Sequence, residues 1–331
     1  MRSLLQNLPI EVKKDLSKEV SPTWISPMLA TLTHDRFSKE GWIFERKFDG
    51  ERCLIYKKSS EVRLLSRNQK VLNNNYPEIA EAMVKHCKSD LVVDGEIVAF
   101  EGNVTSFALL QGRMQVRDPE KARHSGIKIY YYIFDLLNLD GYNIRKLELL
   151  DRKKLLRHAL DFKDPLRFTV HREREGEAYY QEACRKGWEG VIAKRAAGKY
   201  VGKRSRDWLK FKCVNQQELV IGGYTEPAGN RIGFGSLLIG YFEEDKLLYA
   251  GKVGTGYNEE TLRNLRGKLE EIERDGSPFK ENIAEKNIHW VKPMMVAEIG
   301  FTEWTRQGKL RHPRFLGLRR DKKPEEVHRE G

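Results

Sequence analysis

The sequence lacks any apolar run long enough to cross a bilayer, and its first 20 residues lack the apolar centre of a secretion signal. It has only four cysteines, Cys53, Cys87, Cys184 and Cys213, and no two of them form a Cys-x-x-Cys pair. This spacing predicts neither a zinc site nor a disulfide framework, and it favours a reducing compartment. There is no internal repeat and no low-complexity segment. We therefore expect a cytoplasmic globular protein with no membrane partner.

The composition favours two domains and an anionic partner. A chain of 331 residues with 40% hydrophobic residues can build two ordinary cores. Its 60 Lys and Arg residues against 48 Asp and Glu residues give a net charge of +12, which favours a polyanion such as nucleic acid. The texture changes after Cys213, where short strands with glycine-rich connections begin. We predict a first domain over 1–213, with 1–26 as a lead-in segment, and a second domain over 214–331.

Hydrophobic periodicity predicts an α+β fold. In the first domain we expect a short N-terminal helix within 1–20, strands at 42–48, 52–58, 62–66, 91–100, 127–137, 190–194 and 208–213, and helices at 77–87, 107–115, 147–160 and 175–186. In the second we expect strands at 219–224, 236–242, 247–253 and 294–301 and a helix at 259–274. About five strands with one helix predict a small barrel, with the OB-fold as the candidate architecture.

Segment 44–52 (FERKFDGER) is the stretch around which the chemistry is organised. It predicts a strand that ends in a tight Asp-Gly turn, followed by a second strand. Alternate side chains of a strand share a face, so Glu45, Lys47 and Asp49 point to one side. Taken alone, a lysine between two carboxylates is more often a surface ion-pair ladder than a reactive site.

Three further carboxylates interrupt apolar strands. Asp94 and Glu96 share one face of a strand, where burial is costly unless a cation or hydrogen-bond donors compensate; the alternative is that they mark an exposed strand end. Glu189 precedes the apolar strand that ends at Lys194. An odd spacing puts these two on opposite faces of a regular strand, so a shared site requires Glu189 to lie in the turn before it.

Basic residues near the end of the first domain have two possible roles. Lys210 and Lys212 project to one strand face, while Leu209 and Phe211 project to the core. The two lysines either bind phosphates as point-charge donors or form a solvated surface. The basic loop 199–206 (KYVGKRSR) likewise either holds a nucleic-acid backbone or is simply solvated.

Seven segments, in order, resemble the nucleotidyltransferase motifs of ATP-dependent DNA ligases. They are KFDGER at 47–52, SRN at 66–68, VDGE at 93–96, FD at 134–135, EGVIAK at 189–194, WLKFK at 208–212 and RRDK at 319–322. Further segments resemble the ligase module of bacterial LigD-type end-joining enzymes: PMLA at 27–30, QELVIGGYT at 217–225, GFG at 233–235, YAGKVGTG at 249–256, FTEWT at 301–305 and LRHP at 310–313. The resemblance covers almost the whole chain.

The resemblance implies an ATP-grasp-like DNA ligase adenylation domain followed by a small OB-fold β-barrel. It implies that Lys47 attacks the α-phosphate of ATP, that the AMP passes to a DNA 5′-phosphate, and that the 3′-hydroxyl then seals the nick. Only about one free lysine in a thousand is neutral near pH 7.4. Activation therefore requires nearby positive charge, desolvation or a metal, for which Lys210, Lys212 and a divalent cation are the candidates.

The resemblance also assigns the other site residues. Glu45 would contact the adenine amino group, and Phe134 would stack on the adenine ring. Arg52 and Glu96 would hold the ribose. Lys194 would bind a nucleotide phosphate, and Arg67 would contact the 5′-phosphate of the nicked DNA strand. Glu189, with Glu96, would bind Mg²⁺ or Mn²⁺. Arg319, Asp321 and Lys322 would orient the pyrophosphate when the second domain closes, with a hinge near 213–216.

The implied partners are nicked or broken double-stranded DNA, with Ku and a separate end-joining polymerase as further partners of a nucleoid-associated monomer. RNA ligases and messenger-RNA capping guanylyltransferases share the lysine chemistry and remain alternatives. A non-catalytic DNA-end-binding scaffold is an alternative of another class. The presence of Lys47, Glu189, Lys210 and Lys212 argues against that scaffold.

Overall fold

The computed structural model describes residues 5, 9–19, 22–213, 215–229 and 231–330. The chain divides into two units, residues 1–213 and residues 214–331, next to the predicted boundary. Much of the predicted N-terminal helix lies outside the described residues, and within them only Ile10–Lys13 is α-helical before residue 77. In the part of the chain that is described, no helix is long and apolar enough to cross a membrane.

The first unit mixes strands and helices along its whole length. Its strands are β1 (Ser17–Lys18), β2 (Leu29–Leu32), β3 (Trp42–Lys47), β4 (Glu51–Lys58), β5 (Glu61–Ser66), β6 (Leu91–Glu101), β7 (Val104–Thr105), β8 (Ile129–Leu139), β9 (Tyr142–Asn143), β10 (Leu166–Phe168), β11 (His171–Glu173), β12 (Gly190–Arg195) and β13 (Arg204–Lys212). Its helices are α1 (Ile10–Lys13), α2 (Pro77–His86), α3 (Phe107–Met114), α4 (Pro119–Arg123), α5 (Leu149–Ala159) and α6 (Gly176–Arg185). The longer predicted elements are confirmed to within a few residues.

These strands form two sheets. The larger has the order β1-β9-β8-β6-β4-β5, with β10 on β8 and β7 on β6; the smaller has the order β11-β3-β12-β13-β2. Strand β13 begins at Arg204, so the predicted basic loop 199–206 is wrong in its second half, which is strand. Pairing with β2 extends β13 toward its start, a long-range contact that local propensity does not reveal.

The predicted Asp49-Gly50 turn does not pair β3 with β4, because these two strands belong to different sheets. The short connection carries the chain from one sheet to the other. A Cβ atom on Gly50 would lie 2.2 Å from the carbonyl oxygen of Ile97. Glycine is therefore required here by the close approach of β6 and not by a tight hairpin turn.

The predicted alternation of side chains in the smaller sheet is confirmed. Phe44 is fully buried in a cluster with Val191, Leu209 and Phe211, against Tyr179 of α6. Burying these side chains from one face fixes the strand register, since a one-residue slip would expose all of them. The opposite face is therefore left for the polar side chains of the site.

The described residues of the second unit form a small antiparallel sheet with one α-helix. It contains β14 (Asn215–Thr225), β15 (Leu237–Glu243), β16 (Lys246–Val253), α7 (Glu259–Glu270), β17 (Ile288–Phe301), β18 (Glu303–Trp304), β19 (Leu310–Arg311), β20 (Arg314–Leu318) and a 3₁₀ turn (Pro324–Glu326). The five long strands pair in the order β16-β15-β14-β17-β20. Five strands and one helix were predicted, although β17 starts six residues earlier than expected.

Helix α7 shows why this segment folds locally. The Asn258 side chain accepts a hydrogen bond from the backbone N–H of Thr261 at 2.8 Å, which caps the first turn. Leu262, Leu265 and Leu269 follow at helical spacing and pack into the core of the second unit. The capped, one-sided helix therefore covers the sheet.

The cysteine spacing, which predicted no disulfide framework, did not reveal a disulfide that the structure contains. Cys184, near the end of α6, and Cys213, just after β13, are joined, and their Cα atoms are 5.1 Å apart. Cys53 and Cys87 are free and buried. No spacing motif announced the pair, because 29 residues separate its members and only the packing of α6 on the smaller sheet brings them together.

Candidate active site

Three adjacent strands bring the predicted lysines to one sheet face. Lys47 of β3 lies directly opposite Gly190 of β12, which in turn lies opposite Lys212 of β13. On the same face, Glu45 and Lys210 lie on either side of Ile192 of β12 and are each paired with it in register. Residues that lie directly opposite each other on paired strands share a face. Side chains predicted from separate motifs therefore form one polar surface.

Lys47 forms an ion pair with Glu189. Its Nζ lies 2.5 Å from the Glu189 Oε1, and the two side chains are 20% and 7% exposed. Glu189 immediately precedes β12. This is the position that a site shared by Glu189 and Lys194 was expected to require. The backbone N–H of Cys213 donates to the Glu189 carbonyl at 2.9 Å and fixes this turn.

The net effect of the surroundings is to raise the pKa of Lys47. Burial is the largest influence and lowers the pKa, and nearby Lys212 lowers it further. The carboxylates of Glu189 and Asp49 outweigh both and hold the pKa above its usual value. Lys47 is therefore an ammonium ion in this state of the protein, and it must lose a proton before it can act as a nucleophile.

One buried oxygen of Glu189 suits a cation. Its Oε2 atom has no hydrogen-bond partner among the described residues, although it is buried. A buried carboxylate oxygen without a donor is costly, and hard divalent cations bind such oxygens. Across the described ranges, no group of three or more His, Cys, Asp and Glu side chains could by itself hold a metal. Glu96 lies in the larger sheet, opposite Arg52.

Glu45 lies between two buried lysines. Its Oε1 is 2.5 Å from the Nζ of Lys153, and its Oε2 is 2.6 Å from the Nζ of Lys194; all three side chains are 2% exposed. Burial is the largest influence on the pKa of Glu45 and raises it. The two ammonium groups outweigh burial and hold the pKa below its usual value, so Glu45 is ionised.

The Phe134 ring is covered by cations. The Arg52 guanidinium lies 4.7 Å and the Lys194 Nζ 4.3 Å from its ring centre, and Trp208 packs edge-on at 5.9 Å. Phe134 is only 8% exposed. Lys194, which was assigned to a phosphate, thus contacts Glu45 and the ring of Phe134 in this structure.

Asp94 is compensated by hydrogen-bond donors. Arg52 binds it with two nitrogens, each 2.5 Å from a carboxylate oxygen, and the Tyr200 hydroxyl donates to it at 2.7 Å. Asp94 is fully buried, so the alternative that it marks an exposed strand end is wrong. Arg52 also donates to the carbonyl of Met28 at 3.2 Å.

Arg67 lies in the turn that follows β5. The backbone N–H of Gln69 donates to the Ser66 carbonyl at 2.9 Å and closes this turn. Gln69 has a φ of 62°, a left-handed conformation. The half-buried Arg67 side chain is thus carried by a defined turn at a strand end.

The RRDK motif is held within the second unit. Arg319 binds Asp321 with two nitrogens at 2.9 and 2.8 Å and reaches Glu298 at 3.2 Å. The Lys322 Nζ lies 3.0 Å from Glu218, which is directly opposite Glu298 on the paired strands β14 and β17. Burial raises the pKa of Asp321, but the Arg319 guanidinium outweighs it and holds the pKa below its usual value.

Sequence reasoning missed two buried charged residues on α5. Arg152 binds Asp135 with two nitrogens at 2.7 and 2.8 Å, and Lys153 binds Glu45. Both lie within the buried stripe of the helix, between Leu149 and Leu156. A charge at a helix position that should be apolar is the signal that could have identified them.

The first unit presents lysines from three strands on one sheet face, and the second unit carries a motif with two arginines, an aspartate and a lysine. Residues 27–212 match the model of the ATP dependent DNA ligase domain, and residues 230–322 match that of the ATP dependent DNA ligase C terminal region. The chain belongs to the ATP-dependent DNA ligase family. The predicted fold class, an α+β adenylation domain followed by an OB-fold barrel, is confirmed.

Similar proteins include end-joining proteins that are longer than this chain. The chain is 35% identical over 328 residues to the multifunctional non-homologous end joining protein LigD of Pseudomonas aeruginosa, covering 96% of this chain and 38% of that protein. It is 39% identical over 318 residues to the multifunctional non-homologous end joining DNA repair protein LigD of Mycobacterium tuberculosis, covering 92% and 40%. The chain therefore spans about two fifths of the length of these relatives.

A solved structure of mycobacterial DNA ligase D complexed with ATP and MES is also similar. It is 37% identical to this chain, with a TM-score of 0.66, and the match covers 92% of this chain and 98% of the solved one. The likeness thus extends over both units of the chain.

Proposed function

We propose that the protein is an ATP-dependent DNA ligase that seals nicked or broken double-stranded DNA through a lysyl-AMP intermediate. The observation that carries this proposal is the Lys47–Glu189 contact on a sheet face that also presents Lys210 and Lys212. Membership of the DNA ligase family and the likeness to an ATP-complexed ligase structure support ATP as the nucleotide.

In the first step, Lys47 gives a proton to water and its neutral nitrogen attacks the α-phosphorus of ATP. The bond between that phosphorus and the bridging oxygen breaks, and pyrophosphate leaves. Lys210 and Lys212 neutralise the phosphate charge that develops. Glu189, whose Oε2 has no partner in the described part of the chain, would hold Mg²⁺ or Mn²⁺. When bound, that cation supplies Lewis-acid polarisation of phosphate oxygens.

The remaining site residues keep the roles that the family resemblance implies. Phe134 stacks on the adenine, Glu45 accepts from its amino group, and Arg52 and Glu96 hold the ribose. Lys194 binds a phosphate, so its ion pair with Glu45 must break when the nucleotide binds. Glu96 is a further metal ligand, and Arg67 contacts the DNA 5′-phosphate. Arg319, Asp321 and Lys322 orient the leaving pyrophosphate.

In the later steps, a DNA 5′-phosphate oxygen attacks the lysyl-AMP and frees the amine of Lys47. The 3′-hydroxyl then attacks the activated 5′-phosphorus, forms the new phosphodiester and releases AMP. The DNA contacts would be mostly to phosphates, so sealing should weaken as salt rises.

The pathway is proposed from the relatives. Because these relatives are named as end-joining proteins, we propose that the protein acts in double-strand break repair as a nucleoid-associated monomer, with Ku and a separate polymerase as partners. A sealing assay that compares nicked, cohesive and blunt DNA, with and without Ku, tests this assignment. Equal sealing of all ends regardless of Ku would contradict it.

The proposed activity is tested by incubating the protein with labelled ATP or GTP and isolating the covalent adduct. We expect lysyl-AMP from ATP, its loss in Lys47→Ala, and its retention in Lys88→Ala, a control at an exposed lysine. Lys47→Ala should still seal DNA that is already adenylylated. An adduct with GTP alone would instead favour a capping-type guanylyltransferase, preferential sealing of RNA would favour an RNA ligase, and DNA-end binding without any adduct would favour a scaffold.

A further inference from the structure

Two consecutive buried charged side chains of helix α5, Arg152 and Lys153, contact strands that carry residues of the proposed nucleotide site. Arg152 is fully buried and holds Asp135, the neighbour of Phe134 on β8. Lys153 is 2% exposed and holds Glu45 on β3. Strands β8 and β3 belong to different sheets. One helix therefore fixes both the strand that carries the aromatic ring and the carboxylate beside Lys47.

Lys153 is itself held in one position. Its Nζ is 2.5 Å from the Glu45 Oε1 and donates to the carbonyl of Thr169 at 2.9 Å. The backbone N–H of Thr169 donates to the carbonyl of Ile133 at 2.9 Å, so this segment is tied to β8 next to Phe134. The ammonium group thus bridges Glu45 to the wall that carries the aromatic ring.

The charges that face Glu45 enforce its ionised state. Lys153 and Lys194 each contact one of its oxygens, and His171 lies directly opposite it on β11. Burial, and then Lys153, lower the pKa of His171, so this imidazole is neutral near pH 7. Two ammonium groups against one carboxylate hold Glu45 as an anion, and an ionised carboxylate accepts hydrogen bonds but donates none.

Two buried polar atoms around this cluster point to a ligand. The hydroxyl oxygen of Thr169 and the Nδ1 of His171 are buried and have no hydrogen-bond partner within the described part of the chain. Thr169 contacts Lys153 through its carbonyl, and His171 lies opposite Glu45. Buried polar atoms are nearly always paired, so unpaired ones on these two residues suit a bound group with its own donors and acceptors. The polar edge of a purine supplies such groups.

We propose that Lys153 is a positioning residue for base recognition, because it holds Glu45 as an acceptor beside Phe134 so that a purine with a 6-amino group is selected over one with a 6-oxo group. This inference rests on the proposed function, in which Glu45 contacts the adenine amino group. In this proposal Lys153 acts through its contact with Glu45. A 6-amino group donates to the carboxylate, whereas a 6-oxo group presents lone pairs that the carboxylate repels.

The consequence of removing Lys153 follows from this geometry. In the proposed function Lys194 leaves Glu45 for a phosphate, so without Lys153 the buried Glu45 keeps neither of its two lysine partners and takes up a proton more readily. A protonated carboxyl group can donate to a 6-oxo oxygen, and it accepts less strongly from a 6-amino group. The loss therefore acts in opposite directions on the two nucleotides.

The test compares ATP with inosine triphosphate, which carries the 6-oxo group. Single-turnover formation of the lysyl-nucleotide gives kcat/KM for each. In Lys153→Met the ATP-to-inosine-triphosphate ratio should fall about tenfold or more, the size of a hydrogen bond to a charged group. Lys154→Met, at the next and 74% exposed lysine of α5, should keep the wild-type ratio. A purely structural role for Lys153 would slow both nucleotides equally, and an unchanged ratio would overturn the proposal.

Two companion variants keep the test decisive if Lys153→Met folds poorly. Lys153→Arg retains the charge and should keep the preference for ATP. The double variant Glu45→Gln/Lys153→Met removes the carboxylate charge as well, and its ratio should equal that of Glu45→Gln alone. If the ATP-to-inosine-triphosphate ratio of the double variant falls below that of Glu45→Gln by the factor seen for Lys153→Met, Lys153 acts independently of Glu45 and the proposal is wrong.

The same assay separates this inference from the function on which it rests. A wild-type protein that forms no lysyl-AMP would overturn the proposed function and this inference with it. A wild-type protein that forms lysyl-AMP, with an unchanged ratio in Lys153→Met, would overturn the role of Lys153 alone.

Discussion

The Nζ of Lys47 lies 2.5 Å from the Oε1 of Glu189, and this contact keeps the proposed nucleophile protonated. The Oε2 of the same carboxylate has no hydrogen-bond partner among the described residues. One oxygen therefore holds the lysine while the other is available to a cation. Competition for the charge of this single carboxylate links the protonation of Lys47 to the binding of a cation.

Replacing Glu189 by Gln should lower the pKa of Lys47. The carboxylate raises that pKa, whereas burial and Lys212 lower it, so removal of the carboxylate leaves the lowering influences in place. The loss of this close opposite charge should therefore favour the neutral amine. At any pH between the two values, more of the variant carries a neutral amine and reacts.

The measurement is the pH dependence of Lys47 labelling by an amine-reactive reagent, followed by peptide mass spectrometry with a chelator present. Glu189→Asp, which keeps the charge, is the matched control. A Lys47 titration that is the same in Glu189→Gln and in the wild type would show that the ion pair does not set the protonation of the lysine.

Replacing Phe134 by Ala should weaken the use of ATP more than the sealing of pre-adenylylated DNA. Phe134 also packs with Leu54 and Trp208, so this truncation carries a folding cost of about 3–5 kcal/mol. Phe134→Leu fills most of the space without an aromatic face. Loss of stacking should raise the KM for ATP about tenfold or more in both variants.

The kinetics of lysyl-AMP formation and of pre-adenylylated nick sealing provide the comparison, and thermal melting identifies any loss of fold. Equal losses in both assays for Phe134→Leu would contradict a stacking role.

Replacing Arg319 by Ala should block formation of lysyl-AMP while sparing the sealing of pre-adenylylated nicks. The side chain would no longer be available to orient pyrophosphate, a loss that we expect to cost about 100-fold or more. Arg320→Ala, at the exposed neighbour, should behave as the wild type. A normal rate of adduct formation in Arg319→Ala would refute the assignment.

This variant also requires a stability measurement. Arg319 binds Asp321 and Glu298, and breaking a buried ion pair on one side typically costs about 3–5 kcal/mol. If Arg319→Ala melts far below the wild type, Arg319→Lys, which retains a positive charge, distinguishes lost folding from lost chemistry.

Reduction of the Cys184–Cys213 disulfide should destabilise the protein. The bond closes a segment with a sequence separation of 29 residues. For such a loop, the chain-entropy estimate is about 3–4 kcal/mol of unfolding free energy. Denaturant unfolding with and without a dithiol reductant measures this difference. Cys184→Ser should unfold at the reduced wild-type midpoint and show no response to reductant; a reductant effect in that variant would point to another cause.

The sequence could predict which side chains share the site face, since strand alternation and motif order depend on local pattern. Lys47, Glu45, Lys210 and Lys212 are aligned as that pattern requires. The sequence could not show that the Asp49-Gly50 connection joins two sheets, because a short Asp-Gly segment between two strands is also typical of a hairpin.

The missing partners were also distant in sequence. Lys153 and Glu45 are 108 residues apart, so no local pattern pairs them, and only the docking of α5 brings them together. The disulfide was missed for the same reason. Charges inside the apolar stripe of a helix were the only local sign that α5 reaches the site.

The connection that follows Lys47 crosses from one sheet to the other, and its length is therefore restricted. Only Phe48, Asp49 and Gly50 lie between the end of β3 and the start of β4. Lys47 is in register with Gly190 on one side of this crossing, and Glu51 is in register with Ile97 on the other. One inserted residue would have to turn Lys47 off the site face or shift β4 along β6. Insertions and deletions should thus be as damaging here as the loss of the lysine itself.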